Sequence, residues 1–424
     1  MERHAYDLSH FSFVPGDIGR LQTLTNFPVV AGDSIEIDFK AIARLSSLRR
    51  NLTLDAQVDL FAFYVPYRHI YGDDWINFIK QGFDESVTFT AGPVHSTQRY
   101  LGTVLRGTSL NVPLWLTGGY NRIWNRYFRV PTDTAAVKAD SYISGNSGRE
   151  YSFGEVTARL KTPWSTGIDP TTDASDKEVT VSASQLDIID LKQVQSRYES
   201  EQLRDWFGQR YRDILDASFG GGANPDADER PFLLKREKQS LSGYDVDGTA
   251  DANLGSFSGK SAGVVQMHVP SRFFQEHGTI WIMGLVRFPT VNNDERHYLV
   301  EKEDPTWLDI SGDPELTAAQ APQIVRSLDW FANGSAVDDL GTVPFGQWFR
   351  HHPNYVHDAY KVLTGFPFSL DPPTTKAQAR YFQDKEFDAA FSTMQLGQWN
   401  MTGRVGVRCK RVTPPARTSI FAGT

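Results

Sequence analysis

Between positions 35 and 40 the side chains alternate strictly: Ile35, Ile37 and Phe39 against Glu36, Asp38 and Lys40. A period of two sends the two sets to opposite faces of an extended chain, which predicts a strand with one packed face and one wet face. Residues 58–65 (VDLFAFYV) are apolar on both faces except at Asp59, and Pro66 follows. That segment predicts a buried central strand, ended by a residue with no N–H to offer a ladder. Beyond it Trp75, Phe78 and Ile79 share one helical face, and Asp73 and Asp74 stand where the positive end of a helix dipole favours acids, predicting a short helix. From about 131 to 189 Ser, Thr, Gly and Asp predominate, as in surface loops inserted between strands. Within 197–215, Leu203, Trp206, Phe207, Tyr211, Ile214 and Leu215 recur at helical spacing until Gly220, Gly221 and Gly222 end the pattern.

Strand character returns in the second half. Residues 264–269, 279–288 (TIWIMGLVRF) and 401–412 are candidates. In the last, Val405, Val407 and Cys409 alternate with Arg404, Arg408 and Lys410, predicting one packed face and one basic face. No internal repeat is visible, which disfavours solenoids and propellers. Short strands separated by long excursions, with β character at both ends of the chain, suggest a two-sheet barrel of the jelly-roll type. Periodicity does not supply the strand order.

Composition narrows the function. Of 424 residues, 40% are apolar and 22% charged, the balance of a globular chain. The 12% aromatic share, with 27 Phe, 16 Tyr and 10 Trp, suits either a large β core or a protein that assembles through broad contacts. A net charge of −8 argues against coating nucleic acid with the whole surface, because phosphate neutralisation needs clustered Lys and Arg. Any such contact needs a local basic patch or a separate basic partner. Cys409 is the only cysteine, so intramolecular disulfides and thiolate-rich metal sites are not expected, in keeping with folding in a reducing cytoplasm. No apolar stretch follows Met1 as in a signal peptide, and the longest apolar run, 280–286, is strand-sized; neither export nor a membrane span is expected.

Enzymatic motifs fail on spacing. Residues 255–261 (GSFSGKS) resemble a phosphate loop one residue short, and Phe257 stands where a nucleophile elbow needs serine. Asp245, Asp247 and Asp251 surround Gly248 as in a calcium loop, but the glycine comes too early and Ser256 replaces the closing glutamate. The ten histidines form no H-E-x-x-H or H-x-H pair. His351, His352 and His357 lie in a proline-broken polar stretch, and Glu276-His277-Gly278 reads as a turn before a strand. No catalytic, cofactor or metal residue is therefore assigned.

Charge asymmetry is more informative. After Asp388 no acid occurs, yet Arg404, Arg408, Lys410, Arg411 and Arg417 do. This segment is the candidate for a face turned toward phosphates or an acidic neighbour, against the plainer reading of a basic strand edge that discourages unwanted pairing. Arg49 and Arg50, with Arg44, form a second basic cluster. Trp115, Tyr120, Trp124 and Tyr127 are candidate interface anchors, with burial in a satellite cluster beneath a loop as the alternative.

A series of short fragments along the chain carries a further signal. It begins with Asp7-Leu8-Ser9-His10, Gly16-Asp17-Ile18-Gly19-Arg20-Leu21, Ala31-Gly32-Asp33-Ser34, Leu48-Arg49-Arg50 and the block 58–72 (VDLFAFYVPYRHIYG). It continues with 243–249 (GYDVDGT), Glu276-His277-Gly278, 285–289 (LVRFP), Gly312-Asp313-Pro314 and Gly365-Phe366-Pro367-Phe368. In kind and in order these fragments resemble the major capsid proteins of the Microviridae, small phages with single-stranded DNA, and they span nearly the whole chain. The resemblance implies a single capsid domain over 1–424, a mainly β, eight-stranded antiparallel jelly roll with a few helices. Its strands are expected mainly in 20–66, 260–290 and 394–412, with long insertions at about 83–189 and 291–343. It further implies a structural role without enzymatic activity: many copies building a T=1 icosahedral shell around circular single-stranded DNA. Assembly would take place in the host cytoplasm, with a scaffolding protein, a spike or pilot protein and a small basic DNA-binding protein as partners. The alternative is a carbohydrate-binding or carbohydrate-active jelly-roll protein.

Overall fold

The computed structural model describes residues 3–48, 55–81, 92–95, 101, 109–128, 230–241, 261–288, 291–292, 295–302, 304–318, 320, 323–326, 339–343, 345–350, 352–357, 369–370, 390–394 and 397–412. The helix expected over 197–215 and the loops expected over 131–189 lie outside them. The chain divides into two compact units, one of Met1–Val156, Glu229–Pro289 and Phe387–Thr424, the other of Thr157–Asp228 and Thr290–Glu386.

In the first unit nine strands form two antiparallel sheets: β1 (His4–Asp7), β2 (His10–Gly16), β3 (Gln22–Val29), β4 (Ser34–Leu45), β5 (Ala56–Pro66), β6 (Phe232–Leu241), β7 (Ser261–Phe273), β8 (Gly278–Arg287) and β9 (Trp399–Arg411). One sheet runs β2-β9-β4-β7, with β1 added along the same edge of β9 as β2; the other runs β3-β8-β5-β6. Strands that are neighbours in a sheet are mostly distant in sequence, and the chain crosses repeatedly from one sheet to the other. This is the wiring of a jelly roll. The mainly β, antiparallel expectation holds. Among the described residues the sheets contain five and four strands, the short β1 included.

The burial of each strand follows its sequence. In β4, Ile35, Ile37, Phe39, Ala41, Ala43 and Leu45 are buried while Asp38, Lys40, Ile42 and Arg44 are exposed. Strands β5 and β8 are buried almost throughout, as continuous apolar runs must be when both faces of a sheet are covered. One face carries Phe61, Phe63, Val65, Trp281, Met283 and Leu285, which pack in one cluster with side chains of α1 (Tyr67–Tyr71) and α3 (Leu114–Ile123). Helix α2 (Asp73–Gln81) follows α1, with Asp73 and Asp74 in its first turn as expected. Asp59, the polar exception in β5, is 1% exposed and pairs with Arg236 of β6 (3.3 Å) and Arg287 of β8, so the buried charge has two cations on the neighbouring strands.

Side-chain bonds tie the first sheet to the second: Ser12 Oγ donates to the Leu24 carbonyl (2.6 Å), and His10 Nε2 meets Thr25 Oγ1 (2.7 Å). Gly278 is required where β8 begins, because a Cβ there would lie 2.5 Å from the Val65 carbonyl oxygen.

In the second unit three short helices, Tyr298–Glu301, Trp307–Ser311 and Pro314–Ala318, are described. The capping box of Thr306 and Asp309 starts the second of them, Lys302 pairs with Asp309, and Trp348 Nε1 donates to the Asp309 carbonyl (2.8 Å).

Candidate nucleic-acid and assembly surfaces

β9 lies between β2 and β4, so its residues are fixed by ladders on both sides. Val405, Val407 and Cys409 are buried and Arg404, Arg408 and Lys410 are exposed. Burial pushes the Cys409 thiol pKa up, against ready ionisation. Arg404 stands opposite Phe11 and Lys40, and Arg408 opposite Asp7 and Glu36. The Asp7 carboxyl is held below the usual carboxylate range by hydrogen bonds from the Ser9 hydroxyl and backbone N–H, with Arg404 and Arg408 adding a smaller attraction.

Arg411 departs from this pattern. Its guanidinium turns to Asp33, with Nε 3.0 and 3.1 Å from the two carboxylate oxygens and Nη2 2.7 Å from one of them. Asp33 is fully buried and Arg411 only 19% exposed at its side chain, so Arg411 closes the β3–β4 turn and does not belong to the free basic face. Asp33 in turn accepts a bond from the Val30 N–H (2.9 Å). Arg49, Arg50 and Arg417 lie outside the described residues.

The four aromatic candidates separate. Tyr120 is 0% and Trp124 6% exposed, both within the cluster under α3 and the π-helical turn Trp124–Phe128. The Tyr120 hydroxyl donates to the Leu21 carbonyl (2.7 Å), and Gly119 leaves room for the Trp281 ring, which a Cβ would approach to 2.9 Å. These two are core residues of the subunit, a correction to the interface reading. An amphipathic ring with an internal partner is more stable covered than wet. Trp115 and Tyr127 are half-buried at the rim of the same cluster, Tyr127 beneath the Arg230 guanidinium at 4.3 Å and bonded to the Pro231 carbonyl.

Among the fragments that invited enzymatic readings, Glu276 forms a two-pronged pair with Arg68 (3.1 and 3.3 Å), and His277 packs edge-on to Trp75. The calcium-like stretch at 245–251 and His351 are outside the described residues, as is 255–260.

A family model described as capsid protein (F protein) matches residues 1–181 and 146–421. Capsid protein F of Escherichia phage G4 is 41% identical over 99% of this chain and 98% of its own length. Capsid protein F of Enterobacteria phage phiK and that of Escherichia phage alpha3 are each 38% identical, over the same shares. The chain belongs to the phage capsid protein (F protein) family.

For a member of the capsid protein F family, the surface that the sequence reading missed is the outer face of the β2-β9-β4-β7 sheet. Phe11 and Phe13 are 70% and 73% exposed, with ring centroids 6.5 Å apart. Ile42 and Val264 are exposed in the same cross-strand row as Phe13. The signal was present in the alternation of His10 to Val14 (HFSFV), where Ser12 is the buried residue and the phenylalanines are the wet ones. Hydrophobicity alone reads that strand inside out.

Proposed function

We propose that this chain is the major shell protein of a microvirus-like phage, assembling as many copies into a T=1 icosahedral capsid around circular single-stranded DNA. The observation that carries the reading is similarity to capsid proteins F along almost the whole chain, insertions included. A jelly roll suits the task, because its strands consume their own apolar faces and leave loops and sheet rims for neighbours. Closed symmetry then turns many modest contacts into a stable particle. The action is mechanical, not catalytic. The same similarity disfavours a carbohydrate-binding jelly roll.

The net charge of −8 supports a division of labour in packaging. Arg404, Arg408 and Lys410 would meet phosphates locally, and a small basic DNA-binding protein would neutralise most of the genome. A scaffolding protein and a spike or pilot protein are the further partners of this reading. Among the described residues no helix is long and apolar enough to cross a membrane, and assembly in the host cytoplasm, with the virion as destination, is the course proposed.

Negative-stain imaging of the chain co-expressed with the other genes of its phage tests the reading. Uniform spherical particles are expected. A dimer or trimer that never progresses further would count against a shell protein.

A further inference from the structure

The outer face of the β2-β9-β4-β7 sheet carries a pattern that neither a core nor an ordinary wet sheet needs. Pairing registers align its side chains in rows that cross four strands. Pro15, Asn400, Arg44 and Ala262 form one row; Phe13, Thr402, Ile42 and Val264 the next; Phe11, Arg404, Lys40 and Gln266 a third. These twelve positions hold three cations, two largely exposed phenylalanines and no carboxylate, on a chain whose net charge is −8. Acids appear only in the rows beyond, as Asp38, Glu36 and Asp7. Asp38 reaches Lys40 at 3.1 Å, but both side chains are about half in water or more, where such a pair is weak and easily exchanged for a phosphate. Arg44 Nη1 donates to Thr402 Oγ1 (3.3 Å), which holds its guanidinium over the sheet.

We propose that these rows are a stacking platform for unpaired nucleobases, with Phe11 and Phe13 offering ring faces and Arg44, Arg404 and Lys40 taking the phosphates on either side. The proposal rests on the shell reading, which supplies the polyanion, and deepens it by naming residues that touch bases. Bases inside a duplex have both faces covered by their neighbours, so exposed rings select single strands. Such stacking tolerates any sequence, as contact with a whole genome requires. Protein interfaces, by contrast, tend to exclude charge from their centres, whereas here cations flank the apolar row on both sides.

The test uses purified full-length subunits and the fluorescence anisotropy of a labelled oligothymidylate, beside a duplex of equal length, across a salt series. Phe11→Leu with Phe13→Leu keeps the strand apolar and the fold intact while removing the rings. It is expected to lower single-strand affinity about tenfold or more, to leave the duplex unaffected and to leave the salt slope unchanged. Replacing Arg44, Arg404 and Lys40 together by Gln should instead flatten the slope of log affinity against log salt by about 2. Unchanged single-strand affinity in the leucine variant would overturn the platform, as would equal losses for duplex and single strand. Normal oligonucleotide binding with failed particle formation would make the face a contact between subunits, which also overturns it. Failure of the shell reading itself is seen separately, as absence of particles from the unsubstituted chain.

Discussion

Asp33 and Asp59 have no access to water and are each met by arginine, so their desolvation is offset only while those partners stay in place. His69, on α1, is buried without a partner for Nδ1 among the described residues. Burial, reinforced by the positive charges of Arg122, Arg68 and Arg126, pushes its pKa down to about 3. The folded state therefore refuses a proton that the unfolded chain accepts below about pH 6.5. That contribution to stability is complete above this value and declines as the pH falls toward about 3. Denaturant titrations of the subunit should show the unfolding constant rising by about tenfold more per pH unit in that window than in a His69→Phe variant. Equal pH dependence in the two proteins would place the imidazole in water. The sequence could not expose this residue, because the ring that faces it, Phe232 of β6 at 6.1 Å, lies far away along the chain.

At the scale of strands, the two sheets differ in how far their periodicity reveals them. β4 and β9 alternate cleanly because one face is wet, and β5 and β8 stand out as unbroken apolar runs because both faces are covered. The FLLKREKQSL sequence of β6 gives no strand signal, since only Leu241 is buried, and its place is set by pairing with β5. One of its side chains performs a task with no sequence signature. The Gln239 amide donates to the Gln266 carbonyl (2.9 Å) and accepts from the Gln266 N–H (3.0 Å), imitating a strand partner along the edge of β7 that pairs with no strand among the described residues. Exposed edges invite pairing with other chains. Gln239→Ala should cost only about 1–2 kcal/mol in unfolding free energy, yet raise light scattering of concentrated subunits well before the thermal transition. Scattering equal to that of the unsubstituted chain would remove the protective role. Helix α3 was likewise hidden, since its two glycines argue against a helix until Trp281 is seen packed against Gly119.

For the whole molecule, the test of the genome-facing proposal is charge reversal of the outward positions on β9. Arg404→Glu, Arg408→Glu and Lys410→Glu together should lower the DNA content of purified particles while leaving empty shells able to form, because all three side chains project away from the buried face. An unchanged ratio of nucleic acid to protein would exclude this strand from the packaging surface. The sequence by itself determined which face of β4 and of β9 is packed, the absence of any disulfide framework and the family, because alternation, composition and ordered fragments are all properties of the linear chain. Tertiary structure alone decided that Arg411 serves Asp33, that Tyr120 and Trp124 belong to the core, and that Phe11 shares a cross-strand row with Arg404 and Lys40. Those facts depend on register between strands far apart in the chain. Periodicity reports only which way a side chain points, while pairing, set by the core as a whole, decides what it meets there.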